Sequence, residues 1–209
     1  AVLGPDVEEA MAWWGVGPEP TFEGAWILNR LHGDPSEPEP ATITVARALL
    51  RTARDDRTRP GLDDKVLCEW NALFLATLTE AAAATGNRVW LEAAIRNGEF
   101  LLRELRDPLG RWYRSWQDDG RDGRSRHLAL AADHAALVEG FTRLAEATGE
   151  ARWITEATRA ADELLTLFWD DDEGGLFTTS HDAEPLVARV KDQLDSAIPS
   201  ANSSAAVAL

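Results

Sequence analysis

Thr85-Gly86-Asn87-Arg88-Val89-Trp90 recurs 63 residues later as Thr148-Gly149-Glu150-Ala151-Arg152-Trp153. The correspondence continues downstream. Leu91, Ala94, Ile95, Leu101, Leu102, Leu105 and Asp107 fall opposite Ile154, Ala157, Thr158, Leu164, Leu165, Phe168 and Asp170. Upstream, Ala76-Thr77-Leu78 falls opposite Glu139-Gly140-Phe141. Each copy then runs into a glycine-containing aromatic stretch, GRWYRSW at 110–116 and GGLFTTS at 174–180. The unit reads as helix, tight turn at Thr-Gly, helix, then a loop or short hairpin.

The first helix of each copy is mostly Ala, Leu and Phe, which predicts burial on most sides. The second carries a stripe at helical spacing (Leu91, Ala94, Ile95, Gly98, Leu101, Leu102, Leu105) with charges elsewhere, which predicts an outer, amphipathic helix. Trp90 and Trp153 occupy equivalent positions and are expected to be packing residues. A third copy begins at Ala201-Asn202. Repeated helical hairpins form either an open solenoid or a closed ring. A long unit with an aromatic loop after each outer helix favours the ring, where those loops gather at one rim. The fold class expected from the repeat is therefore all-α, part of a closed ring of helical hairpins with short β-hairpin loops.

The expected organisation is an irregular lead-in over 1–43 and a toroid segment over 44–209. The repeat units span about 63–126 and 127–194, with a third, cut short, from 195. The lead-in holds a short helix at Asp6–Trp14 stopped by Gly15, an extended stretch at Thr21–Leu28 and a proline-rich loop at 32–41. Thr44 to about Arg57 reads as a helix ended by Pro60 and Gly61.

Composition limits the partners. Among 209 residues, 36 Asp and Glu against 21 Lys and Arg give a net charge of −15. Nucleic acid and anionic membrane surfaces both need a basic footprint, so neither is an expected partner. The single cysteine, Cys68, excludes an internal disulfide and a cysteine zinc cluster. No apolar run approaches a bilayer span, and no signal peptide is visible at Ala1, so a cytoplasmic protein is the expectation. His32, His127, His134 and His181 show no metal-ligand spacing, and neither a metal nor another cofactor is expected.

Polar residues collect where each first helix begins. Copy one enters through Asp63, Asp64, Glu69, Trp70 and Asn71, copy two through Asp133 and His134, copy three through Asp192, Asp195 and Asn202. Asn71, His134 and Asn202 are read as equivalent positions. Taken singly, Asp and Asn here serve as N-caps. Taken together, carboxylates on one rim raise each other's pKa, and separated carboxylates are what glycoside chemistry uses. Asp63, Asp64, Asp133 and His134 are the candidate acid–base groups. His134 has the residue type best suited to proton transfer, against the alternative of a packed, hydrogen-bonded histidine. Trp70 and Trp112 are candidate sugar-stacking surfaces, and Asn71, Asp195 and Asn202 candidate hydroxyl ligands.

Asp63-Asp64-Lys65-Val66-Leu67-Cys68-Glu69-Trp70-Asn71-Ala72 resembles the motif D-D-K-x-L-x-x-W-N-G of the thioredoxin-domain-containing proteins of the spermatogenesis-associated type. LFWDDDEGGLFTT at 167–179, KDQLDSAIPSANS at 191–203 and the Gly-Val…Phe-Glu-Gly…Ile-Leu pattern at 15–28 are similar to further segments of that family. The resemblance implies a thioredoxin-like domain followed by an α/α toroid akin to six-hairpin glycosidases and sugar 2-epimerases, so that the fold class is all-α, a partial (α/α)6 toroid. This chain would be an interior slice of the toroid, with the thioredoxin-like domain as an intramolecular partner. Ala72 and Ala201 replace family glycines, and Ala132-Asp133-His134 stands where the family has D-D-Y. The function implied is a carbohydrate-active toroid, epimerase-like or glycosidase-like, with a carbohydrate ligand. The alternative is a non-catalytic scaffold or binding module accompanying the thioredoxin-like domain.

Overall fold

A computed structural model describes residues 2–118, 120, 123–185 and 187–209. The chain divides into two compact units, Ala1–Leu62 and Asp63–Leu209. In the first, α1 (Val7–Trp13) and α2 (Ala41–Asp55) bury Ala10 and Trp14 against Ile43 and Ala46. The unit boundary therefore falls at 62, not at 43, because α2 completes the small core that α1 begins. Thr21–Leu28 is not extended. It contains a tight turn bridged between Phe22 and Ala25, with Glu23 and Gly24 at positive φ.

The second unit carries the repeat. Its elements are β1 (Val66–Leu67), α3 (Cys68–Thr85), α4 (Arg88–Glu104), β2 (Tyr113–Gln117), β3 (Arg124–Leu128), α5 (Ala131–Thr148), α6 (Ala151–Phe168) and α7 (Ala201–Ala208). Gly86 and Gly149 end α3 and α5 at φ 67° and 70°. Only glycine adopts that left-handed conformation without strain, and each donates its N–H to a carbonyl of the last helical turn, Ala82 and Ala145. The two Thr-Gly turns thus reverse the chain in the same way. Asn87 caps α4, its side chain accepting from the N–H groups of Val89 and Trp90.

The inner helices α3, α5 and α7 lie side by side, with α4 and α6 behind them. The main core joins Leu75, Leu101, Trp112, Phe141, Leu144 and Trp153. A second cluster joins α5 to α6 and α7 through Ala135, Leu164, Phe168 and Ala205. Two glycines permit close approach. A Cβ at Gly140 would stand 2.9 Å from the Ala72 carbonyl oxygen, and one at Gly98 would stand 3.1 Å from the Trp153 ring. Helix α5, flanked by α3 and α7, buries both Asp133 and His134. Helix α3, flanked by α5 alone among the inner helices, leaves Trp70, Leu73 and Phe74 exposed. The same difference separates the two repeat tryptophans. Trp153 is fully buried, whereas Trp90 is 42% exposed, so only one of them packs as expected.

The strands form one antiparallel sheet in the order β1-β2-β3, with Leu67 opposite Ser115 and Tyr113 opposite Leu128. Strands β2 and β3 follow the first outer helix and pair with β1, which leads into α3, so the sheet returns the chain to the rim where α3 and α5 start. Among the described residues, no helix is long and apolar enough to cross a membrane.

Candidate functional site

The rim is organised by Asp133. It stands in the first turn of α5 and is completely buried. Its carboxylate accepts the Leu130 N–H at 2.7 Å and, across to the neighbouring helix, the Glu69 N–H at 2.9 Å. The Arg114 guanidinium, delivered by β2, donates to it at 3.1 Å. Two backbone donors that their own helices leave free are thus satisfied by one side chain, which ties the starts of α3 and α5 together. Burial holds the Asp133 carboxyl above its ordinary range, and the Leu130 N–H and Arg114 pull against it. Burial also pushes the Cys68 thiol well up, with the Asp133 charge adding to the effect. Cys68 is an inert core residue rather than a nucleophile.

Glu69 is the neighbour that faces open space. Its side chain is 13% exposed and lies 3.8 Å from Arg114. Burial, then the negative charge of Asp133, holds its carboxyl above the ordinary range. Arg114 opposes them, and Asp192 adds to the rise. Glu69 lines a cavity of about 360 Å³ between α3, α5 and α7, together with Leu73, Glu139, Asp195, Ile198 and Val207. Asp195 on the opposite wall accepts the Ser200 N–H at 2.9 Å. That bond, then the Ser203 hydroxyl, holds its carboxyl below the ordinary range. Three carboxyls line the cavity, and the surroundings of two of them act in opposite directions, raising Glu69 and lowering Asp195.

The remaining predicted residues are placed otherwise. Asp63 is exposed and pairs with Lys65 at 3.1 Å. Asp64 accepts from Gln117 at 2.6 Å on the sheet side. Trp70 is 65% exposed, and the 360 Å³ cavity does not include it. Trp112 is 1% exposed and packs on Phe141 at 6.0 Å between ring centroids. It is a core residue and cannot stack on a sugar, because α5 and the Arg106 side chain cover it.

Asn71 and His134 do hold equivalent positions, each the fourth residue of its helix. Both bond the carbonyl four residues back. The Asn71 amide donates to Leu67 at 2.9 Å, and His134 Nδ1 donates to Leu130 at 3.1 Å. A carbonyl only accepts, so that nitrogen carries the proton. The other ring nitrogen lies 3.7 Å from Glu163 on α6, and the ring sits 5.0 Å from Phe168. His134 therefore faces the outer helix, while Asp133 beside it faces α3. Asn202 is the second residue of α7 and clamps the preceding loop. It accepts the Leu176 N–H at 2.7 Å and donates to the carbonyls of Leu176 and Asp192. Asn71, His134 and Asn202 are helix-start clamps.

Arg114 was not singled out among the candidates. The only sequence signal for it is its place inside the aromatic loop GRWYRSW, and the chain there does not disclose which helix start the loop reaches.

These features define the class. The cellobiose 2-epimerase of Spirochaeta thermophila superposes on 71% of this chain and 38% of its own, at TM-score 0.56 and 22% identity. The unsaturated glucuronyl hydrolase of Bacillus sp. GL1 superposes on 81% of this chain and 57% of its own, at TM-score 0.50 and 18% identity. In fold, the unit from 63 to 209 is a segment of an α/α toroid. By sequence the chain is similar to spermatogenesis-associated protein 20. It is 34% identical to that protein of Homo sapiens over 175 residues and 33% identical to that of Mus musculus. These matches cover 77% of this chain and 22% of each relative, so the chain spans about a fifth of their length. No protein-family model matches the chain.

Proposed function

We propose that this segment supplies part of the acid–base rim of a carbohydrate-active toroid. The observation that carries the reading is the pairing of Glu69 with Asp195 across one cavity, their environments pushing the two carboxyls in opposite directions. Groups so separated divide naturally into proton donor and proton acceptor. Glu69 is the donor, protonating a sugar oxygen as a bond to it breaks. Asp195 is the acceptor, receiving a proton from water or from the carbon beside a carbonyl. Arg114 and Asp133 are positioning residues that set how firmly Glu69 keeps its proton. Leu73, Ile198 and Val207 supply the apolar wall that a sugar's C–H face requires.

The test is turnover by the full-length protein. Aryl glycosides and reducing disaccharides are incubated with it, and products are followed by proton NMR. The expected result is a change in the sugar that Glu69→Gln and Asp195→Asn each abolish while the melting temperature is retained. Absence of any product, together with no thermal shift by any sugar, would establish the non-catalytic scaffold instead.

A further inference from the structure

Behind Arg114, on the sheet side, lies a second cavity of about 350 Å³. Lys65, Arg114, Ser115, Gln117, Arg126 and His127 line it with Leu67, and among the described residues no carboxylate does. In a chain of net charge −15 this is an inverted local balance. Arg114 spends one nitrogen on Asp133, and Lys65 pairs with the exposed Asp63, an ion pair that water screens. Gln117 donates to Asp64. Arg126 makes no ion pair among the described residues, and its side chain stands exposed at the mouth.

The backbone is bent to make this cluster. Side chains on a strand alternate between faces, so Arg126 and His127 should point apart. His127 instead adopts φ 59°, a left-handed conformation that strains a non-glycine residue. The alternation is broken there, and both residues line one cavity. Strain of this kind gathers where function requires it.

We infer that this cavity binds an oxyanion through Lys65, Arg114, Arg126 and His127. The substrate of the neighbouring acid–base rim would then be a sugar that carries a carboxylate or a phosphate. The inference rests on the reading above for the word sugar, but the anion site itself does not. Arg114 is the shared wall, touching Asp133 and Glu69 on one side and lining the anion cavity on the other. An anion bound there draws Arg114 away from the carboxyls and strengthens Glu69's hold on its proton.

Binding of glucuronate, inorganic phosphate and glucose to the full-length protein is measured by calorimetry at low and at moderate ionic strength. Glucuronate or phosphate should bind, more weakly as salt rises, and which of the two binds better identifies the anion's source. Arg126→Gln should weaken that binding about tenfold or more, with Arg126→Lys recovering part of it. The Arg126 side chain holds no described structural bond, and Lys65→Gln, with an independent melting curve, guards against a misfolded variant. No binding of either anion, or binding indifferent to both substitutions, overturns the proposal. If Glu69→Gln abolishes sugar turnover while anion binding is absent, the acid–base reading stands and the anion site falls. If anions bind through Arg126 but no sugar is altered, the anion site stands without it.

Discussion

Asp133→Ala removes one buried carboxylate and strands three donors. The Leu130 and Glu69 N–H groups, bonded at 2.7 and 2.9 Å, lose their acceptor inside the fold. An unsatisfied buried donor costs about 1–3 kcal/mol. Arg114 is 32% exposed and recovers most of its loss from water. Relief of the carboxylate's own desolvation offsets part of the sum, leaving a net loss of about 3 kcal/mol, within the range for breaking one side of a buried pair. For a chain of this length that corresponds to a fall of roughly 6–12 °C in melting temperature. Asp133→Asn fits the space but turns an NH2 group toward a donor, so it should cost about 2 kcal/mol. The pH dependence has a definite sign. The folded carboxyl keeps its proton to higher pH than the ordinary value of 3.8. Stability from this group is therefore full in acid, declines as pH rises through the folded pKa, and is constant above it. The cost of Asp133→Ala should be greater in mildly acid solution than at neutrality. Urea unfolding across that range measures both quantities. A variant within about 0.5 kcal/mol of the parent at every pH would refute the claim that Asp133 joins the two helices.

Gly140→Ala places a Cβ against the Ala72 carbonyl, a backbone atom that cannot turn aside. It should destabilise by about 1–3 kcal/mol in urea, and an unchanged midpoint would show that α3 and α5 are not so close. The repeat tryptophans should separate sharply: Trp153→Ala costs about 3–5 kcal/mol and Trp90→Ala much less, because only the first is enclosed. Arg114→Gln removes the cation that lowers the Glu69 carboxyl, so the alkaline limb of the kcat/KM profile, where the acid loses its proton, should move to higher pH. A fixed limb would remove Glu69 from that role.

The sequence disclosed the repeat because its punctuation is local. Thr-Gly turns and apolar stripes at helical spacing each depend on a few consecutive residues, and the helices fall where those residues place them. It also located the rim, since the polar residues stand at helix starts. Roles within the rim were not legible. Asp133 and His134 are neighbours in sequence, yet about 100° of helical turn divides them, and the packing of α5 between α3 and α6 decides which side chain meets which partner. Trp112 and Trp70 are one residue type in similarly polar surroundings. One is sealed by Phe141 and the other left open, because α5 covers the first position and the exposed face of α3 carries the second. Arg114 reaches Asp133 only because the three-stranded sheet folds back on the helix starts, a contact between residues far apart in the chain. Local chemistry set the elements and their ends. The rotation of α3 about its own axis, which burial against distant neighbours settles, turned Glu69 toward the cavity, and the loop before α7 brought Asp195 to the same cavity.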